Sequence, residues 1–547
     1  MERATALLFF MNNHPAWLFA CLVVVLTAVA IFVRSTGPRL LTKLIAPLAA
    51  LAIGVHAVFA FNYLNFPAYL DHIEPNAAIV SWLFLKGEPV YHTVDAATRY
   101  SFLYGPLGYI INAVTLGLFG GSDFTFKLTG ILALLVSYGA ILAAALRTHC
   151  DRVFTVLASL TYFAAMALFF KNYSFWSKPD SIMTALVALS VLVCTLRSGT
   201  PALIAGGAIA GAIINTKLHG AAYVFPMLVF QLNVILKQEG FAAALKSAAI
   251  MAAAFFLVAA APFVLFDNIS ITNYSAWLQT AGAHGLSKQL LISNAQLLLF
   301  AAVPILIWVC AGLTNGNTRD TFKSYWPTVA AVFVSLAVIL IVAAKPGSGP
   351  HHLLPLLPAI AIIGSIGVRQ HLGSGIQPAV WVTAAAFLIA VTIKALVTGS
   401  YLIAILGDPV AASAMKNDLN NIIAEHPDKK IHMGYGSTNT YPATFVRSNL
   451  VFNGQPYLID ASALMDMQYG GVGIPASTIA AINEEAAPLW LIPKGEMPFT
   501  MQNWYYRDLP ENDSESWLFE QRFRDNFNDR FEKTASSAQF DLYTRRR

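Results

Sequence analysis

The sequence predicts an α-helical polytopic membrane protein with about 12 to 13 membrane segments, followed by a small C-terminal α/β domain. Of its 547 residues, 57% are hydrophobic and only 12% are charged, about half the charged share of a soluble domain. The apolar residues form runs of about 17 to 22 residues, the length that crosses the ~30 Å hydrocarbon core of a bilayer as a helix. These runs lack the alternation of barrel strands, and from about Leu406 they give way to charged, turn-forming and strand-like sequence.

The predicted membrane segments follow the apolar runs in order. They lie near residues 14–33, 44–63, 103–119, 126–146, 153–170, 180–197, 202–217, 219–236, 245–266, 295–313, 326–344, 352–368 and 378–398. The first segment is followed by "RSTGPRLLTK" without a small-residue cleavage site, so we expect a retained helix rather than a signal peptide. The predicted domains are an N-terminal helix with a cytoplasmic loop (1–43), a transmembrane module (44–400) with an outer loop (64–102), and a C-terminal domain (406–547).

The basic residues between the segments predict the orientation of the chain. Lys and Arg in short loops favour the cytoplasmic side, which places "RSTGPRLLTK" in the cytoplasm. If every later segment crossed once, the later basic loops would lie outside, so one predicted segment does not cross. The best candidate is 103–119, which is short and contains a Gly-Pro pair near its start. The alternative is that this segment crosses and another does not; in both cases the polar clusters share the outer face.

Ionisable groups at the ends of the predicted membrane segments form one set on that face. They are Asp71, His72 and Glu74 in "LDHIEP", Lys171, Lys178 and Asp180 in "KNYSFWSKPD", Lys217 and His219 in "NTKLHG", His284 and Lys288 in the next loop, and Lys345, His351 and His352 in "KPGSGPHH". Since a charge at membrane depth costs at least ~2.5 kcal/mol, such groups are functional candidates. Carboxylates can take a proton from a hydroxyl or hold a divalent cation, whereas lysines and a glycine-rich turn can receive phosphate oxygens.

Each cluster also has a purely structural alternative. Lys171 and Lys288 are equally well explained as lysines that snorkel to the interface. "NTKLHG" is alternatively a turn between two short helices, and "KPGSGPHH" a tight loop. Asp71 is alternatively a helix cap, but Glu74 and Pro75 stand nearer the start of the next apolar run.

That next run, residues 75–86, is almost wholly apolar and is bounded by a proline and Gly87. It is too short to span a bilayer, so we expect an interfacial helix on the outer leaflet. Beside the carboxylates, such a helix would line the route by which a lipid headgroup enters.

Residues 406–547 predict a small α/β layer domain. The expected order is a helix at 412–425, the strands "KIHMGYG" and "PYLIDA", a helix at 477–485, and the strands "APLWLIPKG" and "AQFDLYTRRR". "GYGST" lacks the spacing of a dinucleotide-binding loop, so no nucleotide site is predicted.

The order of these motifs resembles the multi-spanning glycosyltransferases of the C-type fold (GT-C), which use polyprenyl-phosphate sugars as donors. The family includes the lipid A aminoarabinose transferases and the protein O-mannosyltransferases. Its acidic outer loop, juxtamembrane helices and proline-containing segment are similar to "LDHIEPNAAIVSWLFLKGEPVYH" and "LYGPLGY", and its later acidic and threonine-lysine motifs are similar to "SKPDSIMTALVAL" and "NTKLHG". Two features depart from the family: the helix before residue 34 is additional, and His72 stands where several relatives have a second acid.

The resemblance implies an inverting glycosyltransferase on the periplasmic face of the bacterial inner membrane. It would move a sugar from a polyprenyl-phosphate carrier to a hydroxyl of a lipid, glycan or protein. The implied catalytic residues are Asp71, as general base, and Asp180; the implied donor-phosphate ligands are Lys178, Lys217, Lys345, His351 and Tyr104; and the implied ligands of an optional divalent metal cation are Glu74 and His284. No other cofactor is implied.

A transporter or flippase of a lipid-linked or anionic solute is the main alternative. Transport predicts polar residues on both faces and internal repeats, whereas the sequence shows no repeat and no comparable cytoplasmic cluster. A polysaccharide polymerase or ligase would have a large outer loop rather than a C-terminal domain. The four cysteines show no CxxC spacing, and no basic stripe predicts nucleic-acid binding.

Overall fold

The computed structural model describes residues 37–98, 101–148, 151–170, 174–196, 199–314, 316–370, 378–406, 409–485, 488–503 and 517–547. The predicted first membrane segment (14–33) and Lys171 lie outside these residues.

The described residues form twenty α-helices and a small sheet. The helices are α1 (Gly37–Asn65), α2 (Ile73–Leu85), α3 (Pro106–Phe119), α4 (Asp123–Arg147), α5 (Arg152–Phe169), α6 (Pro179–Cys194), α7 (Thr200–Ile214), α8 (Ala221–Glu239), α9 (Phe241–Leu265), α10 (Ile271–Gly282), α11 (Lys288–Ala301), α12 (Val303–Thr314), α13 (Gly316–Ala343), α14 (Leu357–Gln370), α15 (Pro378–Leu406), α16 (Pro409–Glu425), α17 (Arg447–Phe452), α18 (Ala461–Tyr469), α19 (Ala476–Glu484) and α20 (Gln521–Arg530). Short 3₁₀ turns lie at Leu218–Gly220, Pro350–Leu356 and Thr438–Val446.

The helical content confirms the predicted polytopic membrane fold. Within the described residues, seven helical stretches are long and apolar enough to cross a membrane, and the bent pair α11 and α12 would make an eighth. Five further apolar helices, α2, α3, α6, α7 and part of α15, are shorter. Every predicted segment from 44–63 onward coincides with one or two of these helices.

Two predicted segments have informative shapes. Segment 295–313 was expected as one helix, but it is broken at Ala302 into α11 and α12 with a bend of 60°. Pro304 lies in the first turn of α12, where its missing N–H prevents a continuous helix. Segment 103–119 is the 14-residue helix α3, about 21 Å long at 1.5 Å per residue and shorter than the bilayer core. Since α6 and α7 are short as well, its failure to cross remains a prediction.

Small residues bring the helices of the bundle close together. Gly207 and Gly211 lie one turn apart on the face of α7 that meets α9. A Cβ atom at Gly207 would lie 2.2 Å from the carbonyl oxygen of Met251, and one at Gly211 would lie 2.4 Å from that of Phe255. This small-xxx-small spacing lets two backbones approach without intervening side chains, as is common between membrane helices.

The C-terminal domain contains a four-stranded sheet in the order β1-β2-β4-β3. The strands are β1 (Lys430–Met433), β2 (Pro488–Pro493), β3 (Phe531–Ser536) and β4 (Phe540–Arg545). β1 and β2 are parallel, whereas β4 runs antiparallel to both β2 and β3. The predicted α/β layer and both predicted helices are confirmed.

Two details of this domain differ from the prediction. "PYLIDA" (456–461) is wrong as a strand: residues 455–460 are irregular and α18 begins at Ala461. The Asp460 side chain accepts a hydrogen bond from the Ala463 amide at 2.8 Å and so caps α18. β3 was not predicted, because after Phe531 its residues are all exposed and it has no alternating apolar face to mark it.

Candidate active site

Asp71 lies in the turn between α1 and α2, with its side chain fixed from two directions. Its Oδ1 lies 2.9 Å from the Lys178 ammonium nitrogen and accepts a hydrogen bond from the Ile73 amide at 2.9 Å. The carboxylate therefore supports the start of α2, and it also faces a cation. Its Oδ2 lies 3.9 Å from Nδ1 of His72.

Charges around Asp71 keep it ionised. Burial alone would raise the pKa of Asp71, but Lys178 and His72 together with the Ile73 amide lower it below the usual value. Burial lowers the pKa of His72 to about 4, so this imidazole is neutral at pH 7. A carboxylate that stays charged near neutral pH is available as a proton acceptor.

The loop before α6 places Lys178. The Ser177 hydroxyl donates to the carbonyl of Phe126 at 2.7 Å and accepts from the Gly130 amide at 3.1 Å, which ties the loop to α4. A Cβ atom at Gly130 would lie 2.3 Å from the Phe175 carbonyl oxygen, so this approach requires glycine. The Lys178 ammonium also lies 4.6 Å from the centre of the Trp176 ring, a favourable cation–π contact.

Asp180 and Lys217 form a second buried pair. The Lys217 ammonium donates to Oδ1 of Asp180 at 2.7 Å, and the two side chains are 5% and 3% exposed. The break between α7 and α8 is held by Gly105, whose amide donates to the Thr216 carbonyl at 3.0 Å. Tyr104, implied above as a donor-phosphate ligand, presents its ring to Lys217, whose ammonium nitrogen lies 5.1 Å from the ring centre.

Histidines and a further lysine extend the site. The rings of His351 and His352 lie 4.3 Å apart, and those of His352 and His219 lie 5.0 Å apart. Nε2 of His219 and Nδ1 of His352 are buried without a hydrogen-bond partner in the described part of the chain. Lys345 lies near His219. Cationic and neutral nitrogen groups thus surround the two aspartate–lysine pairs.

The predicted site residues fall into two groups. The structure brings together Asp71, Lys178, Asp180, Lys217, Tyr104, Lys345 and His351. His219 and His352 belong with them, although the sequence offered no role for either beyond membership of their clusters. Lys288 is exposed, as expected for a lysine that reaches the interface.

The two residues predicted as metal ligands have other partners. Glu74 is fully buried, accepts a hydrogen bond from the Tyr63 hydroxyl, and accepts another from the Leu70 amide at 3.2 Å. His284 bonds through Nε2 to the carbonyl of Asp466 at 3.0 Å. Among the described residues, no three His, Cys, Asp or Glu side chains converge to hold a metal ion. The side chains of Glu74 and His284 do not fit a metal site. A bound divalent cation stays a prediction.

Glu74→Gln is expected to flatten the dependence of stability on pH. Burial raises the pKa of Glu74 from 4.5 to about 7, although the Tyr63 hydrogen bond opposes this. Between these values the folded protein holds a proton that the unfolded chain has lost, so the free energy of unfolding falls as pH rises from about 4.5 to about 7. Melting temperatures of purified protein at pH 5, 6, 7 and 8 should fall less in the variant than in the wild type.

The exposed Glu88 is the matched control, because Glu88→Gln removes a carboxylate on the same outer loop without a buried environment. Equal pH dependence of the wild type and Glu74→Gln would show that Glu74 titrates normally.

The C-terminal domain contacts the loop that carries Asp71, which the sequence did not predict. Arg447 is fully buried, and its Nη2 donates to the carbonyl of His72 at 2.8 Å. A second contact joins Lys416 to Asp123 at 2.9 Å, at the first residue of α4. The only sequence signal was a single arginine inside the apolar stretch "YPATFVRSNLVF".

The bundle, helix α2 and the C-terminal domain together define a polytopic membrane protein fold. The fold is similar to that of the crystal structure of ArnT from Cupriavidus metallidurans bound to undecaprenyl phosphate, with a TM-score of 0.52 and 16% identity over 92% of this chain and 98% of that chain. The apo structure of that ArnT gives a TM-score of 0.48 at 12% identity, covering 90% of this chain and 97% of that one.

The archaeal oligosaccharyltransferase AglB from Archaeoglobus fulgidus, in complex with an inhibitory peptide and a dolichol-phosphate, gives a TM-score of 0.40 at 10% identity, covering 84% of this chain and 70% of that one. No protein-family model matches the sequence, and no curated protein matches it.

Proposed function

We propose that the protein is a glycosyltransferase that moves a sugar from a polyprenyl-phosphate carrier to a hydroxyl acceptor. The observation that carries this proposal is the set of two ion pairs, the partly buried Asp71–Lys178 and the buried Asp180–Lys217, among further nitrogen groups. The arrangement offers a charged base beside cations suited to a phosphate. The fold it shares with ArnT, whose crystal structure contains undecaprenyl phosphate, is consistent with such a donor.

The reaction proposed is a single displacement with inversion at the anomeric carbon. Oδ2 of Asp71 takes the proton of the acceptor hydroxyl while the oxygen of that hydroxyl attacks the anomeric carbon. The bond from the anomeric carbon to the phosphate oxygen breaks, and its electron pair leaves with the polyprenyl phosphate. The phosphate then carries an additional negative charge.

In this proposal Lys217, Lys345 and His351 stabilise the departing phosphate. Because this charge develops mainly in the transition state, preorganised cations and N–H groups lower the barrier rather than only tightening binding. Asp180 holds the ammonium of Lys217 at 2.7 Å, which fixes its position before the donor arrives. Lys178 keeps Asp71 ionised by the same kind of contact.

The lipid route and the location of the reaction belong to the same proposal. α2 is a 13-residue apolar helix, about 20 Å long, and it starts next to Asp71. Residues 74–81 of this helix are buried in the protein, whereas residues 82–85 are partly or fully exposed. Only this C-terminal end would meet the outer leaflet and guide the carrier headgroup towards the site. The positive-inside rule favours a site and a C-terminal domain on the side opposite the cytoplasm, which in this proposal is the periplasm of a bacterial inner membrane.

Purified protein in lipid nanodiscs, incubated with radiolabelled polyprenyl-phosphate sugars and candidate lipid, glycan and peptide acceptors, tests the proposal. The expected result is a new glycosidic bond with inverted anomeric configuration, formed by the wild type. The contrary result is labelled substrate crossing sealed vesicles that contain the protein, without any new glycosidic bond, which would establish the transporter or flippase alternative.

A further inference from the structure

Arg447 reaches from the C-terminal domain to the peptide group beside Asp71. The guanidinium is completely buried, and its nitrogens donate in four directions. Nε donates to the Tyr457 hydroxyl at 3.4 Å, Nη1 to the Thr444 carbonyl at 3.2 Å, and Nη2 to the His72 carbonyl at 2.8 Å and to Asp460 at 3.4 Å. Only arginine presents enough donors in one plane to do this.

The His72 carbonyl accepts from Arg447 at 2.8 Å, and the Ser462 hydroxyl oxygen lies 3.4 Å away. Because that hydroxyl donates its one proton to Asp460 at 2.6 Å, Arg447 is the donor that fixes the carbonyl oxygen. The His72 ring lies 6.0 Å from that of Tyr441. His72 therefore has a structural role through its backbone carbonyl.

The peptide group between His72 and Ile73 connects Arg447 to Asp71. Its oxygen is the one that Arg447 holds, and its N–H is the one that donates to Oδ1 of Asp71 at 2.9 Å. Because a peptide group is planar and rigid, fixing its oxygen also fixes the direction of its N–H. Hydrogen bonds at both ends of one amide strengthen each other, so the contact acts on the Asp71 carboxylate through a single rigid unit.

We propose that Arg447 is a positioning residue that orients the Asp71 carboxylate through the His72–Ile73 peptide group, so that the C-terminal domain completes the active site. The proposal rests on the proposed transferase function for its kinetic consequence, but not for the physical contact. Asp460 serves the arrangement by facing the guanidinium, and it is in turn held by Tyr457 and Ser462.

The main test variant is the double substitution Arg447→Met with Asp460→Asn. A single Arg447→Met would leave a buried charge on Asp460, which is destabilising in itself. The double variant leaves no charge unpaired, and the side-chain amide oxygen of the introduced asparagine still caps α18. Arg447→Lys is the second variant, because it keeps a cation beside Asp460 but lacks the planar fork.

Lys416→Met is the matched control. Lys416 contacts Asp123 across the same domain interface, but neither residue touches the peptide group beside Asp71. The Ser448 and Asn449 side chains continue to donate to Asp123 at 3.1 and 3.2 Å. The control therefore reports a general loosening of the interface.

Hydrogen exchange of the intact proteins in nanodiscs tests the contact without any substrate. We expect exchange in residues 70–74 to be at least tenfold faster in the double variant and at least threefold faster in Arg447→Lys, with strands β1, β2 and β4 protected as in the wild type. Lys416→Met should leave exchange in 70–74 unchanged. Unchanged exchange there in both Arg447 variants would overturn the proposal, whether or not any transferase activity is found.

The kinetic readout separates positioning from general damage. With Asp71 misoriented, kcat should fall about 10- to 100-fold, since small displacements of a reacting group have effects of this size. KM for the donor should change little, because the lysines near the phosphate are not touched. Lys416→Met should keep kcat within about twofold of the wild type. Faster exchange with kcat unchanged would show that the contact does not serve catalysis and would equally overturn the proposal.

Discussion

Asp71→Asn is expected to lower the rate of sugar transfer by about 10²- to 10⁴-fold, the usual contribution of a general base. The amide is nearly the same size as the carboxylate, and its oxygen can still accept from the Ile73 amide, so the turn into α2 should persist. The substitution removes the proton acceptor. It also removes the negative charge that lies 2.9 Å from the Lys178 ammonium nitrogen. The measurement is single-turnover transfer of radiolabelled sugar from its polyprenyl-phosphate carrier at saturating donor.

Asp151→Asn is the matched control for the capping role. Asp151 likewise accepts from a backbone amide at a helix start, that of Phe154 at 3.2 Å in α5, but it is remote from the aspartate–lysine pairs. Its variant should transfer sugar at the wild-type rate. If Asp71→Asn kept more than about a third of that rate, another group would have to accept the proton, since general-base catalysis contributes far more than threefold.

The sequence was sufficient for the fold because its apolar runs are long and continuous. Each run had to form a helix to satisfy its backbone within a membrane, so the helices could be placed without knowing how they pack. The bend at Ala302 was accessible in principle, since Pro304 marks it. The strand β3 was not, because its exposed residues carry no alternating apolar signal.

The candidate site was predictable in its members but not in their pairing. Charge at the ends of apolar runs is conspicuous, and it identified Asp71, Lys178, Asp180 and Lys217. Which lysine faces which aspartate depends on how distant helices pack, and nothing in the local sequence fixes it. Arg447 was hidden for the opposite reason: it lies in the domain where charge is ordinary, so its complete burial was visible only in the folded chain.

Breaking the Asp180–Lys217 pair is expected to affect stability and catalysis separately. Lys217→Met leaves the Asp180 carboxylate buried without a cation, which should lower the free energy of unfolding by about 3 to 5 kcal/mol. Asp180→Asn combined with Lys217→Met removes both charges, so most of this loss should be recovered. Transfer should recover in neither variant, because the cation facing the donor phosphate is absent from both. Thermal unfolding together with donor KM and kcat, measured on the same preparations, distinguishes the two effects.

The double variant is decisive because it separates the two roles that one ion pair can have. If the pair only stabilises the bundle, the double variant should regain activity along with its melting temperature. If Lys217 receives the phosphate, the melting temperature should return while transfer stays at least 10²-fold below the wild type, a loss typical of removing one preorganised group that stabilises developing charge.

Lys237→Met is the matched lysine control. This lysine bonds to the Ser324 hydroxyl at 2.8 Å near the C-terminal end of α8. Its variant should keep the melting temperature of the wild type and a transfer rate within about twofold of it.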